Sequence, residues 1–176
     1  TILARAEGTL TPNDVVEVLG LPAGIDPLSF NPYAGDVDAA DATSVEVIGQ
    51  QLMATIGAFA AAAEGAGVGQ QQAFNAAFEA VLEVVTSRAV GGVEAIDFSS
   101  SIDLAEIQTQ VALRVAQIAS ASPQEGIPVS EAAFAELADE TSLAIGNVNA
   151  AIREMANDLV DGGVPLRSTD FQTVFS

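Results

Sequence analysis

The residues best suited to chemistry in this chain are carboxylates. Asp36, Asp38 and Asp41 fall within one short stretch, with Glu46 just beyond. Hard cations such as calcium take several oxygen ligands, often carboxylates supplied by one flexible loop. The helix-loop-helix calcium pattern is nevertheless not met. With Asp36 as the first ligand, Ala40 holds the fifth position, Asp41 stands where glycine is required, and Val47 replaces the closing glutamate. The cluster therefore reads in two ways: a cation site built from Asp36, Asp38 and Asp41, or a solvated helix start. In the second reading Asp41 is the cap and the helix dipole favours the negative charge. Gly91-Gly92-Val93-Glu94-Ala95-Ile96-Asp97 partly matches a calcium-binding nonapeptide. It lacks the later glycine, places its aspartate one residue late and occurs once, whereas such repeats stack in several copies. A helix stop followed by a turn accounts for it.

Acid/base catalysis by paired carboxylates needs two acids in one cleft with separated pKa values. A glycosidase, the enzyme class open to a carboxylate-only chain, holds them about 5 to 10 Å apart. Asp139-Glu140 and the pair Asp158 and Asp161 fall instead on polar helix surface. Arg114 and Arg153 interrupt helices otherwise short of positive charge, and each has acids nearby to pair with; Asn149 and Glu154 are neighbours of Arg153. Thr141 sits on an apolar stripe between Leu137 and Ile145, where a hydroxyl usually bonds its own helix's carbonyl. A polar ligand contact is the sharper alternative there, and Asn147 and Asn149 follow on the same helix.

Composition removes most other chemistry. The 176 residues contain 24 acids against five basic residues, for a net charge of −19, and no histidine, cysteine or tryptophan. All five basic residues are arginine. A thiolate nucleophile, a thiolate zinc site, an imidazole base and a Schiff-base lysine are excluded. Phosphate backbones and anionic lipid would be repelled, so nucleic acid is a poor partner. Yet 49% of residues are hydrophobic, which supports a folded domain with an alanine-rich core under a thin, one-signed charge coat. Such a coat suits high ionic strength and should destabilise the fold at low salt. The apolar run Leu52 to Ala63 is too short to span a bilayer. The start at Thr1, without methionine or a leader, reads as a piece of something longer.

The elements that must position these residues are helical. Thr11-Pro12-Asn13-Asp14 predicts a short helix, with Thr11 as N-cap, Pro12 at the first position and a stop at Gly20. Leu21 to Gly35 carries three prolines, yet also Leu21, Ile25, Leu28, Phe30 and Tyr33, so it reads as a loop packed onto the body. Four longer amphipathic helices follow. The first carries Val45, Ile48, Leu52, Ile56 and Phe59 at steps of 3, 4, 4 and 3, and ends at Gly65 to Gly69. The second carries Phe74, Phe78, Val81, Leu82 and Val85 and closes at Gly91-Gly92, after which Val90 to Phe98 has room for a short extended piece. The third carries Leu104, Ile107, Val111, Val115 and Ile118. Ser130 caps the fourth, with Phe134, Leu137, Ile145, Val148, Ile152, Met155 and Leu159 on one face and a stop at Gly162-Gly163. The reading is an all-α bundle of four longer helices, a short N-terminal helix and a packed proline-rich loop, a single domain over 1–176 with uncertain ends at 1–10 and 166–176.

The stretch LPAGIDPLSFNPYA after Gly20, followed by an acid-started helix, resembles a helical module of very large secreted bacterial surface proteins. These are adhesin-like proteins with cadherin-like or haemolysin-type calcium repeats elsewhere in the chain. NVNAAI, Asn147 to Ile152, is similar to a stretch of that module too. The resemblance implies a secreted, calcium-rich, marine-type setting and a structural or interaction role, and supplies no catalytic residues. The resulting expectation is a non-enzymatic module at the bacterial cell surface or outside it, acting in adhesion, spacing or assembly. Its partners would be neighbouring domains, another protein or a second copy, with no membrane insertion. The alternative is an acidic calcium-binding module using the Asp36 to Asp41 cluster.

Overall fold

The computed structural model describes residues 10–34, 37–92, 94–121 and 128–161. They form five helices: α1 Pro12–Val18, α2 Ala39–Gly65, α3 Gln70–Gly91, α4 Ser101–Ala121 and α5 Glu131–Asp161. No strand occurs among the described residues, so the 90–98 segment holds none outside Val93.

Local chemistry sets each boundary. At α1 the Thr11 hydroxyl accepts from the Asp14 N–H at 3.3 Å, and the Asp14 carboxylate accepts from the Thr11 N–H at 2.7 Å. This reciprocal capping box holds Asp14 below the ordinary carboxylate pKa. The chain then leaves α1 through Gly20, whose φ of 65° only glycine adopts without strain. Asp38, rather than Asp41, is the N-cap of α2: its Oδ1 accepts from Ala40 N at 2.9 Å and Asp41 N at 3.3 Å. Asp41 lies inside the first turn, where its charge still faces the dipole. Gly92, at φ 62°, closes α3 by returning its N–H to the Arg88 carbonyl. At α5 the Ser130 hydroxyl accepts from Ala133 N at 3.1 Å, and the Ser130 N–H is tied to the Ala66 carbonyl at 2.9 Å.

The four longer helices pack as a ring in which α2 and α4 each lie against both α3 and α5. Cross-links between neighbours run antiparallel: Gln51 meets Asn149 while Gly65 faces Leu137, and Arg88 meets Glu106 while Glu79 meets Arg114. α1 rests on α3, and the Ile96 N–H donates to the Val18 carbonyl at 2.8 Å. The core runs through Ile56, Phe59, Val81, Val85, Phe98, Leu104, Ile107, Val111, Val115 and Phe134.

Three predicted stripes are rotated. On α2 only Ile56 and Phe59 of the expected stripe are buried, Val45, Ile48 and Leu52 are half-buried, and Val47, Gln51 and Thr55 take the inside of the first half. On α3 the buried side is Ala73, Ala76, Ala77, Ala80, Val81, Val84 and Val85. Phe74 is 40% exposed and stacks on Phe78, with ring centroids 6.5 Å apart. Alanine carries little weight in a stripe count, yet it lets helices approach closely and so takes the inside. On α5 the buried positions are Phe134, Ala138, Ile145, Asn149 and Ala156, leaving Val148 and Met155 exposed. The α4 stripe lies where expected, with Leu104, Ile107, Val111 and Val115 fully buried. The proline-rich loop is packed only in part: Ile25 is buried, but Leu28 and Tyr33 face solvent.

α2 is long and apolar enough to cross a membrane by length and composition. The stretch that qualifies is wider than the Leu52 to Ala63 run, because the glycines and alanines around it count. In this fold α2 lies against α3 and α5.

Candidate functional site

The acid cluster does not assemble. Asp36 lies outside the described residues, Asp38 is occupied with capping, and Asp41 is half-exposed one helical turn on. Among the described residues no group of three or more carboxylates gathers closely enough to hold a metal ion. Glu140, Asp158 and Asp161 are exposed on α5, and Asp139, also exposed, accepts from Gln108 Nε2 at 2.7 Å.

The structure instead gathers polar residues around the segment 94–103, where α3 hands over to α4. Arg88, 9% exposed, projects from the last turn of α3. It donates from Nη2 to Asp103 at 2.7 Å and also to Glu106, and its Nη1 reaches the Glu94 carbonyl. Burial opposes its charge, but the bonds to Asp103 and Glu106 outweigh that and hold the guanidinium above its ordinary pKa. The second oxygen of Asp103 accepts from the Asp97 N–H at 2.7 Å. The Asp97 carboxylate accepts in turn from the Ser99 N–H and hydroxyl, at 2.8 and 2.7 Å. It also pairs with Arg153 of α5 through both guanidinium arms. The Arg153 bonds lead in holding Asp97 far below the usual carboxylate range, against the upward push of partial burial.

Beneath this chain runs a buried seam. Asn149 is fully enclosed, and its Nδ2 donates to the Phe98 carbonyl at 2.8 Å and to Thr55 Oγ1 at 3.0 Å. Thr55 returns its own proton to the Gln51 carbonyl at 2.7 Å, and Gln51 Nε2 donates to the Asn149 carbonyl at 2.6 Å. Only Asn149 Oδ1 in this seam is buried without a partner. Thr141 is half-buried and stands outside the seam, and Asn147 is exposed. Back-bonding of the kind expected at Thr141 is made by Thr43, Thr55, Thr86 and Thr109.

Above the seam opens a cavity of about 400 Å³ between loop 94–98, the first half of α2 and the end of α5. Leu19, Val47, Ile96, Phe98 and Gln51 form its enclosed wall, and Arg153, Asp97 and Asn157 stand at its exposed edge. A second groove of about 320 Å³ lies between α3 and α4, where Arg114 Nη1 bonds Glu79 at 3.0 Å and Arg114 Nε is buried without a partner.

Sequence reading singled out Arg114, Arg153 and Asn149 but not their partners, which lie 35, 56 and 51 or more residues away. Arg88, Asp103 and Gln51 were missed. A usable signal existed for Asn149: Phe134, Ala138, Ile145, Asn149 and Ala156 follow a spacing of 4 and 7, which puts a polar residue in an otherwise apolar heptad. No family model matches the chain, and neither a curated protein nor a solved structure matches it.

Proposed function

We propose that this chain is a non-enzymatic structural and interaction module of a large secreted or cell-surface bacterial protein, acting in adhesion, spacing or assembly. One observation carries the reading. α2 and α5 are neighbours in the ring, and each turns apolar side chains outward: Met53 at 55% exposure on α2, and Val148 and Met155, seven residues apart on one side of α5, at 49 and 42%. Gly49 and Gly57, with open space at their Cβ positions, and Ala61 continue the α2 face. Exposed apolar surface spread along two adjoining helices is characteristic of a docking face, whereas singly scattered residues need no explanation. The resemblance of residues 21–34 and 147–152 to a surface-protein module supports the same reading, as does a charge of −19 suited to saline surroundings. The occupant is a second copy or a neighbouring domain of the parent protein. Nucleic acid is disfavoured by the charge, and α2 stays within the bundle rather than entering a bilayer.

The test is light scattering on the full chain in sodium chloride at seawater strength, with and without calcium. Self-association abolished by a Met53→Asp, Val148→Asp double variant of unchanged circular dichroism is the expected result. A chain that stays monomeric, with calcium binding saturably and lost on Asp38→Asn, Asp41→Asn substitution, would replace this reading with the calcium-module alternative at Asp36, Asp38 and Asp41.

A further inference from the structure

Independently of that reading, we propose that the cavity between loop 94–98, α2 and α5 binds a small zwitterion with an apolar arm, an α-amino acid of the leucine or phenylalanine type. Its volume of about 400 Å³ stands at the low end of small-molecule sites, which run from about 300 to 1,000 Å³. That suits an amino acid rather than a nucleotide. The inner wall is mostly apolar: Leu19, Val47, Ile96 and Phe98 are each less than a tenth exposed, and half-buried Ile48 joins them. The buried polar residues between them, Thr43 and Gln51, donate to the Ala39 and Asn149 carbonyls. A branched or aromatic side chain is the complement of that wall.

The edge supplies the opposite chemistry. Arg153 and Asp97 stand side by side there, 43 and 45% exposed, so the mouth presents one positive and one negative group at hydrogen-bonding distance. A ligand with a single negative charge meets the Asp97 carboxylate, and one with a single positive charge meets the Arg153 guanidinium. A zwitterion satisfies both. Each partner also has capacity left. Asp97 Oδ1 accepts three bonds, from the Ser99 N–H, the Ser99 hydroxyl and Arg153, whereas Oδ2 holds only a 3.4 Å contact with Arg153. That oxygen is free to accept from an ammonium. The guanidinium has five N–H donors and commits two of them to Asp97, leaving Nε and the outer N–H groups for a carboxylate. Asn157, exposed at the same edge, adds an amide donor.

The pair is held in place before any ligand arrives. Asp103 grips the Asp97 N–H, and Asn149 grips the Phe98 carbonyl, so the loop that carries the charge and the apolar wall is anchored at both. Little ordering is left to oppose binding.

Isothermal calorimetry on the full chain tests this with L-leucine and L-phenylalanine, against N-acetyl-leucine, which lacks the ammonium, and leucinamide, which lacks the carboxylate. Saturable one-to-one binding of at least one free amino acid is expected. Both blocked analogues should bind about tenfold more weakly or worse, and so should the free amino acid to Arg153→Gln. Ile48→Trp, which fills the cavity and spares the ion pair, should abolish binding and stands in if Arg153→Gln loses its helical dichroism. No saturable binding, equal binding of the blocked analogues, or binding undiminished in both variants overturns the proposal.

Discussion

The two ends of the bundle are built on opposite principles. Where α2 turns into α3, the chain needs only Ala66 to Gly69 to reverse, and α5 starts alongside with its Ser130 N–H on the Ala66 carbonyl. Small residues and backbone do the joining there, and Gly65 lies so close to Leu137 that a Cβ would stand 2.8 Å from its methyl. At the other end the 92–100 connection is held by side chains: Arg88 reaches into it from α3, and Asn149 and Arg153 from successive turns of α5. Close packing tolerates little added volume but needs no particular polar group. A charged closure tolerates some change in volume yet depends on every partner being present. The cavity of about 400 Å³ lies at this second kind of end, whereas the groove of about 320 Å³ runs between the first half of α3 and the last turns of α4, towards the other.

The sharpest way to break this contrast is Arg88→Met. It keeps the bulk and strands Asp103 and Glu106 without their cation. Stability should fall by about 2 to 3 kcal/mol, read by denaturant unfolding. A loss below 1 kcal/mol would mean that the carboxylates find water at little cost.

Next in size is Asp97→Asn. The native pKa of Asp97 is depressed, so its pairing with Arg153 stabilises the fold above the unfolded carboxylate pKa of about 3.9 and is lost as pH falls towards the native value. Because both groups are nearly half-exposed, the effect near neutral pH should be no more than about 1 kcal/mol. The variant should close that gap to wild type as pH falls below about 4. A constant difference between the two unfolding curves across that range would contradict the linkage.

The smallest effect compares glycines on one helix. Gly57→Ala adds a Cβ in open space and should raise stability by about 0.5 to 1 kcal/mol through helix propensity. Gly65→Ala must push Leu137 aside and should gain less or lose stability. Equal gains in melting temperature would show that the packed end has slack.

Much of the helical frame was legible in advance. Thr11, Pro12 and Asp14 announce a capping box, Gly92 a stop and Ser130 a start, because each acts within four residues of itself. The α4 stripe was legible too, since its buried positions, Leu104, Ile107, Val111 and Val115, are all large aliphatics. α3 and α5 misled for a common reason. Alanine fills four inner positions of α3 and two of α5, and stripe reading weights size rather than fit. The site resisted more fundamentally. Asp38 and Asp41 drew attention by crowding, which their capping role explains. Asp97 acquires its role from Arg153, 56 residues on, and no local pattern encodes a pairing made by the closing of a ring.

The closing of that ring has a mechanical consequence. Thr43 near the start of α2 and Asn157 near the end of α5 line the same cavity, so the chain enters and leaves the four-helix ring at one pole. Tension applied across these two points would peel α2 from α5 turn by turn instead of shearing them along their length. Gln51 and Asn149, beside that pole, would be among the first links to carry the load. Such a module yields at low force and releases its contour length gradually. Drawn within a longer chain, it would act as an extensible element rather than a rigid strut.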